Sequence, residues 1–233
     1  NTMLINGQRN VQDGLAVHFD GQALKQVDCI KYLGVHVDQD LNWYKHVEKM
    51  HTRVMGKLVL RRLSKFLPRQ TLELIFKSTI LPCIDYADTV WGSCSEKGLK
   101  MAQRLQNAAA RIITKNYDYV NFRGEDIVRS LKWQTIKERR QFHMATLMFK
   151  CTKGQAPNYL CDQFTFVNEI NHYSTRYTTN INVHVPFPKK GIFKRSFVYD
   201  GACIFNSLPN FLKECDNVYD FKRMYKSHFF NVS

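Results

Sequence analysis

Lys45, Lys49, Arg53, Lys57, Arg61 and Lys65 recur at every fourth position, with Arg62 and Arg69 beside them and Glu48 as the acidic residue interrupting the run. The chemistry open to such a series is the holding of a polyanion. Four residues advance an α-helix by about 6 Å and turn it by about 40°. Neighbouring cations are therefore adjacent, and the series winds slowly round the cylinder at roughly the spacing of successive phosphates along a strand. Like charges at i,i+4 repel by about 0.2–0.5 kcal/mol per pair, so the run is mildly self-destabilising without a counter-anion. A solvated helix face is the competing reading. The acidic residues that invite a bond-making role are Asp38, Asp40, Asp85 and Asp88. Two-ion phosphoryl chemistry needs carboxylates presented together at a β-turn, with another from a distant strand. After Asp88 comes Thr89, not a second Asp, and Asp38 and Asp40 suit a turn and a helix cap. We expect no catalytic residue and no metal ligand here.

Two further basic surfaces are weaker. Lys100, Arg104 and Arg111 lie near helical spacing and could touch a phosphate backbone, although Arg111 could equally brace a helix end. In residues 176–197, Tyr177, Phe187, Phe193 and Phe197 interleave with Arg176, Lys189, Lys190, Lys194 and Arg195. That mixture is a recipe for single-strand binding, by stacking on bases and cationic contact to the backbone. It also describes a hairpin whose aromatics fill a small core.

The whole composition agrees with an anionic partner. The 233 residues hold 34 Lys+Arg against 20 Asp+Glu, a net charge of +14, and 44% are hydrophobic. A folded protein facing nucleic acid fits this better than a disordered basic tail. No stretch approaches the roughly 20 apolar residues of a membrane span, and no segment at the start has the order of a signal peptide. The seven cysteines are scattered without Cys-x-x-Cys, as expected of reduced thiols in an intracellular protein of the cytoplasm or nucleus.

The elements that would carry these residues are legible from periodicity. Thr2–Asn6, Leu15–Phe19, Ala23–Val27 and Ile30–Val37 alternate as strands, with Asp20-Gly21 as a hairpin turn. From Leu41 the period becomes helical, with Asp40 as cap and Val47, Met50, Val54, Leu58 and Leu63 as the apolar stripe. Pro68 ends that helix and opens the next, which offers Leu72, Ile75, Phe76 and Ile80 and is kinked or ended by Pro82. Ser93-x-x-Glu96 is a capping box for a helix through Leu99, Leu105, Ala109 and Ile112. Asn116–Gly124 reads as a loop, and Thr135-x-x-Glu138 caps a helix to about Lys150. Short helices follow at Phe197–Leu208 and Val218–Phe230, after an irregular, strand-like stretch at Tyr173–Pro188. Trp43, Trp91 and Trp133 read as core anchors.

Several segments stand in a familiar order: KYLGV (31–35), Leu41-Asn42-Trp43 with His46, ILPCIDYADTVWG (80–92), QNAAARIIT (106–114), LKWQTIKERR (131–140), APNYL (156–160) and FNSLP (205–209). Together they resemble the region C-terminal to the catalytic palm in the reverse transcriptases of non-LTR retrotransposons, of the LINE-type, jockey- and CR1-like kind. The opening NTMLIN resembles a late palm segment. Phe205 stands where this family often has Trp, and no cysteine-histidine knuckle is present, so zinc gets no support.

The resemblance implies a mainly α fold with a small N-terminal β element, a remnant of the palm sheet, and short β or irregular C-terminal segments. It divides the chain into the palm end (1–38), a thumb-like helical region (39–115) and a C-terminal helical and hairpin region (116–233). The thumb-like helix would lie along an RNA:DNA template–primer duplex, whose A-like form is read by shape and backbone. Tyr86-Ala87-Asp88 imitates the family's YADD box, but the paired aspartates and their Mg²⁺ belong upstream. Only thirty residues precede the KYLGV junction and the first residue is not Met. The expectation is therefore a fragment of an RNA-directed DNA polymerase without its chemistry. An exapted or decaying reading frame serving as a non-catalytic interaction module is the alternative.

Overall fold

The computed structural model describes residues 1–5, 16–57, 60–170, 181–189 and 191–230. The chain forms two compact units, residues 1–136 and 137–233.

Unit 1 begins with two small antiparallel hairpins. β1 (His18–Phe19) pairs with β2 (Gln22–Ala23), and β3 (Cys29–Tyr32) pairs with β4 (Val35–Asp38). Both have two-residue turns with φ > 0 throughout: Asp20 at 50° and Gly21 at 72°, then Leu33 at 45° and Gly34 at 83°. This type I′ geometry matches the right-handed twist of the flanking strands. The expected strand Ile30–Val37 is therefore a hairpin, corrected by a turn at Leu33-Gly34. Thr2 makes one parallel bridge to Gln26. Asn6, Leu15 and Leu58 lie outside the described residues.

The helical part follows. α1 (Tyr44–Lys57) buries Val47, Met50 and Val54, and α2 (Leu60–Leu63) buries Leu60. Asp40 is not the cap. Asn42 accepts from the Tyr44 N–H at 2.8 Å, and Asp38 accepts from the Asn42 N–H at 3.0 Å. α3 (Arg69–Ile75) starts after Pro68 and runs into a π-helical turn at Phe76–Ile80, then α4 (Leu81–Asp85). Pro82 has no N–H to continue the α ladder, and the wider turn carries the chain past it. α5 (Asp88–Trp91) and α6 (Glu96–Thr114) follow, with Ser95 as the α6 cap, accepting from the Gly98 N–H. Ser93 instead accepts from the Trp43 indole at 3.1 Å. α7 (Gly124–Ser130) closes the unit.

The core of unit 1 joins the apolar faces of α1, α3, α4 and α6 round a fully buried Trp91. Trp133 stacks on Phe76 with ring centroids 4.5 Å apart and donates to Glu73 at 3.0 Å.

Unit 2 is built on α8 (Ile136–Thr152), α9 (Asn158–Cys161), α10 (Val167–Ile170), α11 (Phe197–Asn206), α12 (Asn210–Lys213) and α13 (Val218–Phe230). Phe142, Phe149, Phe205, Phe221 and Tyr225 fill its core, with Phe149 stacked on Phe221 at 4.5 Å. The Asn206 amide pairs with both backbone groups of Val183, donating at 2.8 Å and accepting at 3.0 Å. The buried Lys213 ammonium donates to Asn182 Oδ1 and the Asn206 carbonyl. The mainly α architecture with a small N-terminal β element is the one expected.

Candidate nucleic-acid interface

α1 places its cations as the spacing requires. Lys45, Lys49 and Arg53 are exposed, away from the buried Val47, Met50 and Val54, and none makes an ion pair among the described residues. Glu48 is exposed on the same helix. Lys57 is the last residue of α1, and its side chain lies outside the described residues. Arg61 and Arg62 are exposed on α2, and Lys65 is exposed beyond it.

Gly56 is exposed on α1, and a Cβ built there meets nothing within 4 Å. Gly56→Ala is therefore expected to raise stability by about 0.4–1 kcal/mol, by lowering unfolded-chain entropy and improving helix propensity. A urea titration measures this directly. A lower midpoint would mean that the α1 backbone is not the free helix surface described.

The KYLGV hairpin abuts the start of this helix. The backbone N–H of His36 donates to Nδ1 of the buried His46 at 3.3 Å, so Nδ1 must be unprotonated, and the His46 ring lies 5.9 Å from Trp91. Burial, and then the neighbouring His36, lower the His46 pKa. His36 is lowered by partial burial and by the charges of Lys31 and Lys49. Both rings bind a proton more readily when unfolded. Their contribution is thus present above the unfolded value of about 6.5 and is lost as pH falls from there through the folded pKa. We expect the urea midpoint to drop between about pH 7.5 and 5.5, and His46→Gln to flatten that dependence. An unchanged slope in the variant would exclude His46 as the group responsible.

The second basic surface divides. Arg104 is exposed, and Lys100 is exposed but paired with Glu96 at 2.9 Å. Arg111 belongs to the interior. It is 6% exposed and donates to the carbonyls of Asn116 (3.4 Å), Asp118 (2.9 Å) and Phe122 (2.6 Å). The bracing role is the one realised, so Arg111 is corrected from phosphate contact to loop support. In unit 2, Lys189, Lys194 and Arg195 are exposed, the last two on a 3₁₀ turn at Phe193–Arg195. Phe187 is 89% exposed, whereas Phe197 packs on the core. Tyr177, Arg176 and Lys190 lie outside the described residues.

Tyr86-Ala87-Asp88 has a local structural use. Ala87 sits at φ 52° and breaks the chain between α4 and α5. The Tyr86 hydroxyl donates to the Leu33 carbonyl, its ring lies over Gly34, and the Tyr86 carbonyl accepts from the Trp91 indole at 2.8 Å. Asp88 starts a helix and is buried. This is a helix break, not a strand hairpin bearing consecutive aspartates, and it does not fit a pair of Mg²⁺ ions in the two-ion arrangement.

The sequence is similar to RNA-directed DNA polymerases of mobile elements and to a Pol polyprotein of a retrotransposable element. The probable polymerase of the Drosophila melanogaster X-element is 30% identical over 132 residues, which is 54% of this chain and 14% of that protein. The polymerase of the Drosophila melanogaster element jockey is 28% identical over 130 residues, with the same two coverages. A Pol polyprotein of an R1 element of Nasonia vitripennis is 34% identical over 73 residues, 29% of this chain and 18% of that protein. Over about half its length the chain is thus related to non-LTR retrotransposon reverse transcriptases. It spans about one-seventh of the length of the X-element and jockey proteins. No family model and no solved structure matches it. No helix among the described residues is long and apolar enough to cross a membrane.

Proposed function

We propose that unit 1 is a thumb-like element that grips RNA and RNA:DNA template–primer duplex, through α1 and α2, within the reverse transcriptase of a non-LTR element. In this reading residues 1–38 are the palm end and residues 39–115 the thumb. Residues 116–233 are the C-terminal region, and the catalytic aspartates lie outside this chain. The observation that carries it is the exposed trio Lys45, Lys49 and Arg53, unpaired among the described residues on one exposed side of a helix whose other side is core. Cations held at successive turns without protein anions are suited to successive phosphates. Contact to backbone rather than base edges is what an A-like duplex offers.

The test is filter binding of an RNA:DNA hybrid across a salt series. Retention that falls steeply and linearly on logarithmic axes is expected, with a slope near −0.9 for each phosphate neutralised. Absence of binding at low salt would favour the non-catalytic interaction module.

A further inference from the structure

We propose that the loop joining α6 to α7, residues 116–123, receives unpaired nucleotides at the end of the basic series, stacking their bases on Tyr119 and Phe122. The proposal deepens the reading of unit 1 as a nucleic-acid grip, and rests on it.

The loop is unusual in what it exposes. Tyr119 is 72% and Val120 93% exposed, and Tyr117 and Phe122 are exposed as well. A plain connector would present polar side chains at such positions. Its backbone is nonetheless tied down. Arg111 reaches from α6 to three of its carbonyls, and the Asp118 carboxylate accepts from the Val120 and Asn121 N–H groups at 2.9 Å each. Asp118 also accepts from the Asn121 amide at 2.7 Å. A braced loop holding aromatic rings in solvent is preorganised, so little ordering entropy is lost when a ligand arrives.

Charge identifies the ligand. The Arg111 guanidinium lies 4.2 Å from the centre of the Tyr119 ring, so the ring has a cation at one side while most of its surface is open. Lys115 and Arg123 are exposed at the two ends of the loop. Arg61, a member of the basic series, lies 5.8 Å from the centre of the Tyr117 ring, which joins the series to the loop. Glu125 and Asp126 open α7 just past Arg123 and disfavour phosphate there. The phosphates are therefore assigned to the Arg61 and Lys115 side. Aromatic faces beside cations are the recipe for sequence-tolerant binding of single strands.

The test compares a single-stranded oligonucleotide carrying 5-bromouridine with a blunt RNA:DNA hybrid of equal length, both by filter binding to the whole chain. Tyr119→Leu together with Phe122→Leu, which keep apolar bulk and remove the rings, are expected to weaken single-strand binding at least about tenfold. Blunt-hybrid affinity should stay within about twofold, and Tyr119→Trp should restore the single-strand affinity of a Phe122→Leu background in part. Photocross-links should fall within residues 115–123, and unchanged urea midpoints would show that the loop variants fold. The proposal is overturned if single-strand affinity is unaffected, if hybrid affinity falls equally, or if the variants only dissolve self-association. In each of those cases intact hybrid binding by the unsubstituted chain leaves the α1 reading standing. Failure of that chain to bind either nucleic acid removes both.

Discussion

Replacing Lys45, Lys49 and Arg53 together by alanine is expected to lower the salt slope of hybrid binding by about 2.7, at 0.9 for each phosphate released. At about 0.1 M salt that corresponds to a loss of affinity on the order of several hundredfold. The fold should be spared, because all three side chains are exposed and none is held in an ion pair among the described residues. Removing them also relieves i,i+4 repulsion, so the urea midpoint should hold or rise slightly. Glu48→Ala, which deletes the opposing charge from the same helix, should strengthen binding. A triple variant that binds with an unaltered slope would take α1 out of the interface, whatever the sequence relationship.

Arg111→Met is expected to cost about 2–4 kcal/mol of stability, read as a lower urea midpoint. The methionine keeps much of the aliphatic bulk in the core. It cannot donate to the carbonyls of Asn116, Asp118 and Phe122, and charge-assisted hydrogen bonds contribute more than neutral ones. Partial hydration of the freed carbonyls at the surface is why the loss should stay below the sum of three bonds. A second measurement separates bracing from general packing. Tyr117, Tyr119 and Phe122 are chymotrypsin sites, already exposed but on a fixed backbone. Cleavage there should accelerate in the variant well below its unfolding midpoint. Equal cleavage and an equal midpoint would show that Arg111 does not hold the loop.

Periodicity overreached at Leu63, which belongs to the expected stripe but is exposed at the end of α2, where the helical run stops short of Pro68. The helix over Val218–Phe230 coincides with α13, and Val47, Met50 and Val54 of the stripe are the buried face of α1. These are local patterns, set by 3.6-residue spacing and burial. The turn at Leu33-Gly34 escaped because Leu rarely takes positive φ. It is held there with help from Tyr86, 53 residues away, and no window of sequence contains both. The cap of α6 was displaced from Ser93 to Ser95 for a similar reason, since Ser93 receives the indole of Trp43 from across the core. The α7 helix and the π turn before Pro82 carried no strong periodic signal.

The loop at 116–123 is a different kind of omission. Its mixture of Tyr117, Tyr119 and Phe122 with Lys115 and Arg123 is of the same kind as that in residues 176–197. What the sequence could not show is that Arg111 would turn inward. Its spacing with Lys100 and Arg104 puts it on a helix, but only the chain returning beneath α6 decides whether a cation there meets solvent or carbonyls.

Trp43, Trp91 and Trp133 all belong to unit 1, and unit 2 holds no tryptophan. Intrinsic indole emission is consequently a private reporter of the half of the chain that carries α1. Because Trp91 is sealed from solvent and Trp133 is stacked on Phe76, its red shift follows the melting of that half alone. Far-ultraviolet circular dichroism registers helices throughout. Superposition or separation of the two melting curves tells whether the halves come apart together or in turn.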